Sequence, residues 1–529
     1  MQETENPWRS VLCAALVFCA ALALYTPFLS DRLLWDDGTL IGENAFLADC
    51  SNLPAALSPL NLFRILPVPM AARPLVNASL LADACAGSGP AAMKFTNLLL
   101  HGFSAAALFF LLLALSGSEA GALLGALLFA VHPAAAEAIH VITFRSHLLG
   151  AFFFIPGLSF ALFFSRRPSP AAGAAAALCY LLALLSVETP AVLPLAALLA
   201  AYFDSGRAGL KKLLPLLGVM AAVALFYLWF RTPRAGYGIA GLAAPGIPGP
   251  SPLYPVALLP ANGPAAGAYM MPLPWRGIYT SFAANVFTMS RITLEYLGTM
   301  LAGLGLNTDY SPAVTGSLRR GLVPLAAVLA VLGGGVRLYR RRNLAGLGLL
   351  LALAALLPAL NFVPVYNIKA ARYLYLPLAG LAGAAAGRLK AALANKKIKN
   401  AALAAAVLWV SGLAAVTASR NPEFRSDLTL FSAAVRRAPA MPRAQANLSR
   451  ALLLAGDCAG GLAHAGLAAG LDKGNPVLRL RLAFALDYCG RRPEALREAE
   501  GTLKQFPGDA FAVQLVKALR AAGPARAGR

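Results

Sequence analysis

Long runs of apolar residues, separated by short polar stretches, fill the first 420 positions of this chain. Eleven of these runs approach the roughly 20 residues that an α-helix needs to cross the hydrocarbon core of a bilayer. The predicted spans are 9–30, 94–115, 117–132, 148–165, 171–186, 189–204, 213–231, 320–337, 344–360, 373–388 and 401–418. The pattern therefore predicts an all-α, polytopic membrane bundle.

Beyond residue 420 the pattern changes to amphipathic helices that repeat every 34 residues. The repeat relates Pro442 to Pro476, Leu448 to Leu482, Gly456 to Gly490 and Leu462 to Leu496. Thirty-four residues is the length of a tetratricopeptide unit, a helix-turn-helix. We predict a membrane domain over 1–419 and a tetratricopeptide-like helical solenoid over 420–529. Its concave face would receive an extended peptide; a packing domain without a ligand is the alternative.

The composition agrees with a lipid environment. Apolar residues form 59% of the 529 residues and charged residues only 13%, with a mean hydropathy of +0.66. A water-soluble globule of this length could not bury so much apolar surface. Membrane lipids are therefore predicted partners.

Lysine and arginine collect in four clusters that fall on one side of the predicted bundle. The clusters are Arg166 and Arg167; Arg207, Lys211 and Lys212; Arg337, Arg340, Arg341 and Arg342; and Arg388, Lys390, Lys396, Lys397 and Lys399. Cytoplasmic loops carry such an excess, so the N-terminus is predicted inside and the C-terminus outside. The net charge of +22 is then explained by topology and anionic lipids, not by nucleic acid.

One further segment, 281–305, is only moderately apolar and carries Arg291 and Glu295 on one helical face. A twelfth crossing there would place the cluster at 340–342 outside. We therefore expect this helix to lie in the interface or to re-enter from the outside.

The same topology predicts a bacterial inner-membrane protein with a periplasmic C-terminal domain; an endoplasmic-reticulum protein with a lumenal tail is topologically equivalent. Cys50 and Cys85 share the first outside loop, and Cys458 and Cys489 share the outside tail. Disulfides are feasible there, but spacing alone leaves both pairings open.

The polar residues concentrate in outside segments. Two of these, 31–93 and 232–319, are far longer than ordinary connections of about five residues. Within the second, 232–280 is rich in proline and glycine and is predicted to be either a lid or a spacer. Two shorter segments, 132–147 and 361–373, are dense in charged and polar side chains.

Asp36 and Asp37 directly follow the first predicted span, and arginines, a lysine and histidines occupy the other outside segments. A carboxylate can accept a proton from a hydroxyl nucleophile, and an arginine can hold a phosphate through two hydrogen bonds. Together they indicate group transfer from a phosphate-activated donor. Outside the membrane, a lipid-linked sugar phosphate supplies that activation, and the sequence has no phosphate-binding glycine loop or zinc-ligand spacing.

Several short motifs carry a family resemblance, and they occur in the family's order. They are Trp35-Asp36-Asp37, Arg73-Pro74, Asn97 with His101, His132-Pro133 with Glu137 and Arg145, Glu188-Thr189-Pro190 with Leu193-Pro194, Asp309-Tyr310, and Arg372-Tyr373-Leu374-Tyr375-Leu376-Pro377. With them, the chain resembles the transmembrane and tetratricopeptide-repeat O-mannosyltransferase family, within the GT-C superfamily of polyprenyl-phosphate-sugar glycosyltransferases.

The resemblance implies an inverting enzyme that moves mannose or a similar hexose from a polyprenyl or dolichyl phosphate to an acceptor hydroxyl. The acceptor would be a polypeptide Ser or Thr presented by the repeats. Asp36 would be the general base. Asp37 would orient it, bind the acceptor or help to hold a divalent cation, although no cofactor is required.

Other residues receive roles from their charge and position. Arg372, Lys369 and Arg145 are the expected donor-phosphate ligands, and the expected further substrate-site residues are Arg73, His132, Glu137 and Glu188. Each has a structural alternative: a helix cap for the aspartates and histidines, a headgroup anchor for the arginines, and a buried pair for Glu188.

The chain departs from the family pattern at Lys94, His147, Val187 and Ala371. These departures leave the sugar and the acceptor open. Two other functions therefore stay open as well: the same donor with a lipid or glycan acceptor, or a non-enzymatic membrane anchor that displays a repeat interaction domain.

Overall fold

The computed structural model describes residues 7–42, 44–57, 73–231, 281–310, 312–362 and 367–521. Every regular element within these ranges is helical, as the apolar and amphipathic patterns predict. The predicted lid or spacer at 232–280 lies outside the described residues.

The α-helices follow one another along the chain, with short 3₁₀ turns between several of them. They are α1 (Pro7–Tyr25), α2 (Leu53–Leu57), α3 (Pro74–Cys85), α4 (Pro90–Ser116), α5 (Glu119–Val131), α6 (Ala136–His140), α7 (Arg145–Arg166), α8 (Pro170–Leu184), α9 (Leu193–Arg231), α10 (Phe282–Ala302), α11 (Leu318–Arg340), α12 (Leu344–Leu356), α13 (Pro377–Leu393), α14 (Lys399–Arg420), α15 (Asp427–Arg437), α16 (Pro442–Leu454), α17 (Cys458–Leu471), α18 (Pro476–Tyr488), α19 (Arg492–Gln505) and α20 (Ala510–Ala521).

Six described helical segments are long and apolar enough to cross a bilayer. They are Trp8–Phe28, Pro90–Ser116, Ile142–Arg166, Thr189–Trp229, Leu318–Arg340 and Lys399–Arg425. A bent pair, Glu119–Val131 with Pro133–His140, would make a seventh. Apolar helices of this length indicate a membrane protein.

The structure does not reach the predicted eleven spans, because several apolar runs form shorter helices. Helices α5, α8, α12 and α13 have 13, 15, 13 and 17 residues. In addition, the runs 189–204 and 213–231 belong to one kinked helix, α9. The kink lies at Gly206, whose left-handed φ of 62° interrupts the helical backbone.

Two of the short helices, α12 and α13, pack backbone against backbone. Gly348 lies against Gly380 and Ala384, and Gly380 lies against Ala352. A Cβ atom at either glycine would overlap main-chain atoms of the facing helix. Close approach through small residues is how helices associate in lipid, so these short helices are stabilised by their neighbours.

Helix α10 covers the segment that was predicted to lie in the interface. It is not among the six long apolar segments. Arg291 Nη1 lies 2.8 Å from Glu295 Oε1 on its outer face, and Ile292 and Tyr296 are buried in the main core. The helix is therefore amphipathic and packs against the bundle on one side.

The C-terminal region consists of helix-turn-helix pairs, α16 with α17 and α18 with α19. Their first helices begin at Pro442 and Pro476, 34 residues apart as the sequence predicts. The turns contain Gly456 and Gly490, with φ of 84° and 78°. Both turns need a residue that tolerates the left-handed region, which explains the repeated glycine.

Both pairings that the sequence left open are formed. The Cys50–Cys85 disulfide joins a turn of the segment between α1 and α3 to the end of α3. The Cys458–Cys489 disulfide joins the start of α17 to the residue that follows α18. Cys13, Cys19 and Cys179 are free thiols in apolar helices.

These bonds predict the thiol content of the protein. The unreduced, denatured chain should expose three of its seven cysteines to an alkylating reagent, because the other four are in disulfides. Reduction before alkylation should raise the count to seven. Intact mass spectrometry of the alkylated protein measures both values, and seven alkylations without reduction would contradict the pairing.

Candidate functional site

The loop that follows α1 contains a strained backbone residue. Trp35 has a left-handed φ of 56°, which is rare for a bulky residue and costs about 1–3 kcal/mol. The indole packs edge-on against Phe144 of the membrane domain and Phe431 of α15, with ring centroids 5.4 and 6.0 Å away. The strain falls immediately before Asp36, the predicted general base.

Asp37 is a backbone anchor in this structure. It is fully buried, and its carboxylate accepts hydrogen bonds from the amides of Leu34, Ile142 and Thr143 at 2.9–3.2 Å. Burial raises the pKa of Asp37 to about 6, and those amides oppose the rise. Both oxygens bond to backbone amides, which favours the predicted orienting role of Asp37 over acceptor or metal binding; these roles stay predictions.

Asp36 is the carboxylate that stays open. Its side chain is exposed, and within the described residues it has no hydrogen-bond partner. Desolvation by surrounding protein raises the pKa of Asp36, and the guanidinium groups of Arg372, Arg443 and Arg450 oppose that rise. The arrangement is a solvent-accessible carboxylate in a cationic setting, which suits a proton acceptor.

Arg372 is buried beside this carboxylate, in the 3₁₀ turn Ala371–Leu374. Its Nη1 donates to Glu137 Oε1 at 2.6 Å, and its guanidinium lies 4.3 Å from the centre of the Phe144 ring. Tyr373 is also within cation–π distance, at 5.5 Å. The structure therefore brings together three predicted site residues: Asp36, Glu137 and Arg372.

Lys369 lies three residues earlier in the same segment. Its Nζ donates to Glu295 Oε2 at 2.8 Å and lies 4.8 Å from the centre of the Tyr310 ring. Because Glu295 also pairs with Arg291, this carboxylate is shared between two cations. A phosphate ligand at Lys369 would compete with a partly exposed ion pair, which is worth little in water.

Arg73 and Glu188, two of the predicted substrate-site residues, contact each other at the start of α3. Arg73 Nη2 lies 3.4 Å from Glu188 Oε2, with 29% and 44% of the side chains exposed. Arg73 Nη1 donates to Ser146 Oγ at 3.1 Å, and its Nε has no hydrogen-bond partner among the described residues. This arginine keeps capacity for an anion.

Arg145 has no such free capacity in this structure, which favours a structural role over its predicted role as a phosphate ligand. It is fully buried at the start of α7. Its nitrogens donate to Asn97 Oδ1, to Ser79, to Asp83 Oδ2 and to the Met93 carbonyl, at 2.6–3.4 Å. The guanidinium group joins α3, α4 and α7, and its role is structural.

His132 likewise contacts backbone groups, which favours a structural role over its predicted place among substrate contacts. It is buried between α5 and α6, where Nδ1 accepts from the Ala134 amide at 3.1 Å and Nε2 contacts the Met300 carbonyl at 2.9 Å. This is the capping alternative, which satisfies backbone groups at a break between helices.

Lys94 explains one departure from the family pattern. Its Nζ donates to Ser30 Oγ, the Ser30 carbonyl and the Arg32 carbonyl at 2.6–3.0 Å. All three ammonium protons are used, and the side chain is fully buried. Lys94 therefore fixes the start of the loop that carries Asp36.

Sequence reasoning did not predict that the C-terminal region reaches this site. Asp427 accepts from the Trp35 amide at 2.8 Å and from Arg450 Nη2 at 2.6 Å. Arg443 forms an ion pair with Asp309, which is buried in the loop after α10. These contacts span sequence separations of 392 and 134 residues, and no local pattern encodes them.

Among the described residues, no three His, Cys, Asp or Glu side chains are grouped as metal ligands. Comparison with known proteins adds no assignment: no family model, no curated protein and no solved structure matches the chain. What stands from the fold is the class, an all-helical membrane protein with several bilayer-length apolar helices.

The contrast between the two arginines predicts unequal effects on stability. Arg145→Met should destabilise the protein by about 3–5 kcal/mol, because it leaves Asp83 and several buried acceptors without their partner. Arg73→Met should change stability by less than about 1 kcal/mol, since its ion pair is partly exposed. Thermal unfolding in detergent compares them, and similar midpoints would contradict the structural role of Arg145.

Asp37 predicts a pH dependence with a definite sign. The folded chain keeps the Asp37 proton up to about pH 6, whereas an unfolded aspartate releases it near 3.8. The contribution of Asp37 to stability is therefore full below about pH 4 and declines by about 3 kcal/mol as the pH rises through 6. Thermal midpoints between pH 4 and 7 should show a steeper decline in the wild type than in Asp37→Asn. Parallel curves would contradict the raised pKa.

Proposed function

We propose that this chain is an inverting glycosyltransferase that uses a polyprenyl-phosphate sugar and acts on the extracytoplasmic face of its membrane. The observation that carries the proposal is the open Asp36 carboxylate among the guanidinium groups of Arg372, Arg443 and Arg450. A carboxylate with no other partner is available for an acceptor proton. A buried arginine beside it is available for a leaving phosphate.

The chemistry would be a single displacement. The acceptor hydroxyl attacks the anomeric carbon, its proton passes to Asp36, and the bond from that carbon to the phosphate oxygen breaks. The electron pair leaves on the polyprenyl phosphate, whose charge Arg372, Lys369 and Arg73 would balance. To bind phosphate, Arg372 must share its guanidinium with Glu137, and Nη1 is the atom engaged with that carboxylate.

The proposed topology has eleven crossings, with the first loop and the C-terminal region outside. Five of the six long segments would account for five of these crossings, the two halves of α9 for two more, and α5, α8, α12 and α13 for the remaining four. Two disulfides, one in each proposed outside region, support an oxidising compartment. A bacterial inner membrane facing the periplasm fits these features; a lumenal orientation in the endoplasmic reticulum is the equivalent.

The helix-turn-helix pairs after residue 442 would be tetratricopeptide repeats that present a polypeptide Ser or Thr to the site. Their 34-residue spacing and repeated turn glycines support this assignment. A lipid or glycan acceptor stays the alternative. Deleting the repeats cannot separate the two, because Arg443 and Arg450 of the first repeat pair with Asp309 and Asp427 and act electrostatically on Asp36, so their loss would disturb either reaction.

The test is sugar transfer by the purified, full-length protein in nanodiscs. Radiolabelled polyprenyl-phosphate mannose, glucose and galactose are offered with a periplasmic protein extract, with membrane lipid or with glycan acceptors. Asp36→Asn should lower transfer by about 10²–10⁴-fold, the usual contribution of a general base. Asp49→Asn is the matched control, because Asp49 is an exposed aspartate of the same loop that only caps a turn.

The outcomes separate the candidate functions. Label in protein that depends on Asp36 supports the proposal, and Asp36-dependent label only in lipid or glycan supports the alternative acceptor. Equal transfer by wild type and Asp36→Asn removes Asp36 as the base. No transfer from any donor would favour the non-enzymatic membrane anchor.

A further inference from the structure

The C-terminal region contacts the loop of the proposed base at Trp35, the residue with the left-handed backbone. Asp427 opens α15 and has one oxygen on each of two partners: Oδ1 accepts from the Trp35 amide at 2.8 Å, and Oδ2 accepts from Arg450 Nη2 at 2.6 Å. The aspartate side chain is 18% exposed, so these bonds are shielded from water. Charge-assisted bonds of this kind are stronger than neutral ones.

We infer that Asp427 is a positioning residue for Asp36, so that the C-terminal region completes the site instead of only presenting an acceptor. The inference rests on the proposed function for its catalytic consequence. Its structural basis is independent of that function, because it consists of hydrogen bonds to the backbone on either side of Asp36.

Two carboxylates hold that backbone, one from within the loop and one from α15. Asp37 accepts from the Leu34 amide at 3.2 Å, and its own amide donates to the Leu34 carbonyl at 2.9 Å. Asp427 holds the next amide, that of Trp35. Since the Asp36 carboxylate has no hydrogen-bond partner among the described residues, its direction is set by this backbone.

The left-handed backbone of Trp35 explains why its contact with Asp427 matters. A bulky residue leaves φ of 56° unless its surroundings hold it there. The Asp427 carboxylate and the Phe431 ring both come from α15, and both act on Trp35. If α15 withdraws, Trp35 is expected to relax to an extended backbone and to turn Asp36 away.

A second ion pair holds the same region in place. Arg443 pairs with Asp309, and Arg443 and Arg450 lie seven residues apart, two turns along one face of α16. Both arginines act electrostatically on Asp36. The face of α16 that docks on the membrane domain therefore also supplies the cationic setting of the proposed base.

The experiment compares Asp427→Ala, which removes both bonds, with Asp427→Asn, which keeps an oxygen for the Trp35 amide and loses the charge that pairs with Arg450. Glu498→Ala is the matched control, because it breaks the Arg479–Glu498 ion pair within the repeats, far along the chain from α15. All are made in the full-length protein, with thermal unfolding as a check of folding.

The first readout needs no activity. In a background where the four other tryptophans are phenylalanine, Trp35 emission and acrylamide quenching report its environment. Asp427→Ala should red-shift the emission and raise the quenching constant at least twofold. Asp427→Asn should change both less, and Glu498→Ala should match the parent.

The second readout is sugar transfer. Asp427→Ala should lower kcat at least tenfold with little change in the KM for the donor, and Asp427→Asn should recover a large part of that loss. Failure of the proposed function is recognised separately: the wild type then transfers no sugar, while the Trp35 signal still responds to Asp427. An unchanged Trp35 signal in both Asp427 variants would overturn the inference, and so would a kcat loss equal to that of Glu498→Ala.

Discussion

Every ion or amide that this chain removes from water has to find its partner inside the protein, and that constraint shapes the outer end of the helical bundle. A polar group buried without a partner costs about 1–3 kcal/mol, as much as a typical destabilising point mutation. Arg145, Lys94, Asp37 and His132 meet the constraint completely, because their polar atoms contact protein acceptors or amides. They form the rigid base on which the loop with Asp36 is held.

Against this background, the residues that are not fully engaged stand out. Asp36 is open, and Arg73 has a long, partly exposed ion pair with Glu188 and an Nε without a hydrogen-bond partner among the described residues. Arg372 is buried but divides its contacts between Glu137 and aromatic faces. Where nearby groups such as Arg145 and Lys94 are fully bonded within the protein, remaining hydrogen-bonding capacity of this kind indicates where a ligand would act.

The sequence predicted the all-α class because runs of apolar residues and the 34-residue period are local signals. It also selected Asp36, Glu137 and Arg372, which the structure brings together, although their roles stay predictions. It could not say which of two adjacent aspartates the backbone would occupy, since Asp37 is defined by the amides of Ile142 and Thr143. The roles of Arg145 and His132 stay predictions, but the structure engages both side chains with distant carbonyls, which charge and position do not reveal.

The number of spans and the part played by α15 depend on tertiary packing. Helices such as α12, at 13 residues, are shorter than their apolar runs suggest, and close glycine contacts with α13 stabilise them. Asp427 lies in a region whose periodicity identifies helices but not what they dock on. Its contact with Trp35 becomes visible only when the two ends of the chain are seen together.

That contact also bears on how the protein is made. Trp35 leaves the ribosome 392 residues before Asp427, an interval of roughly 20 to 80 seconds at ordinary rates of synthesis. Throughout that time the loop has its anchor within the membrane domain but lacks the one supplied by α15. A ribosome that stalls, or a chain cleaved before residue 427, therefore leaves a membrane-inserted product whose first loop lacks the hydrogen bond between Asp427 and Trp35.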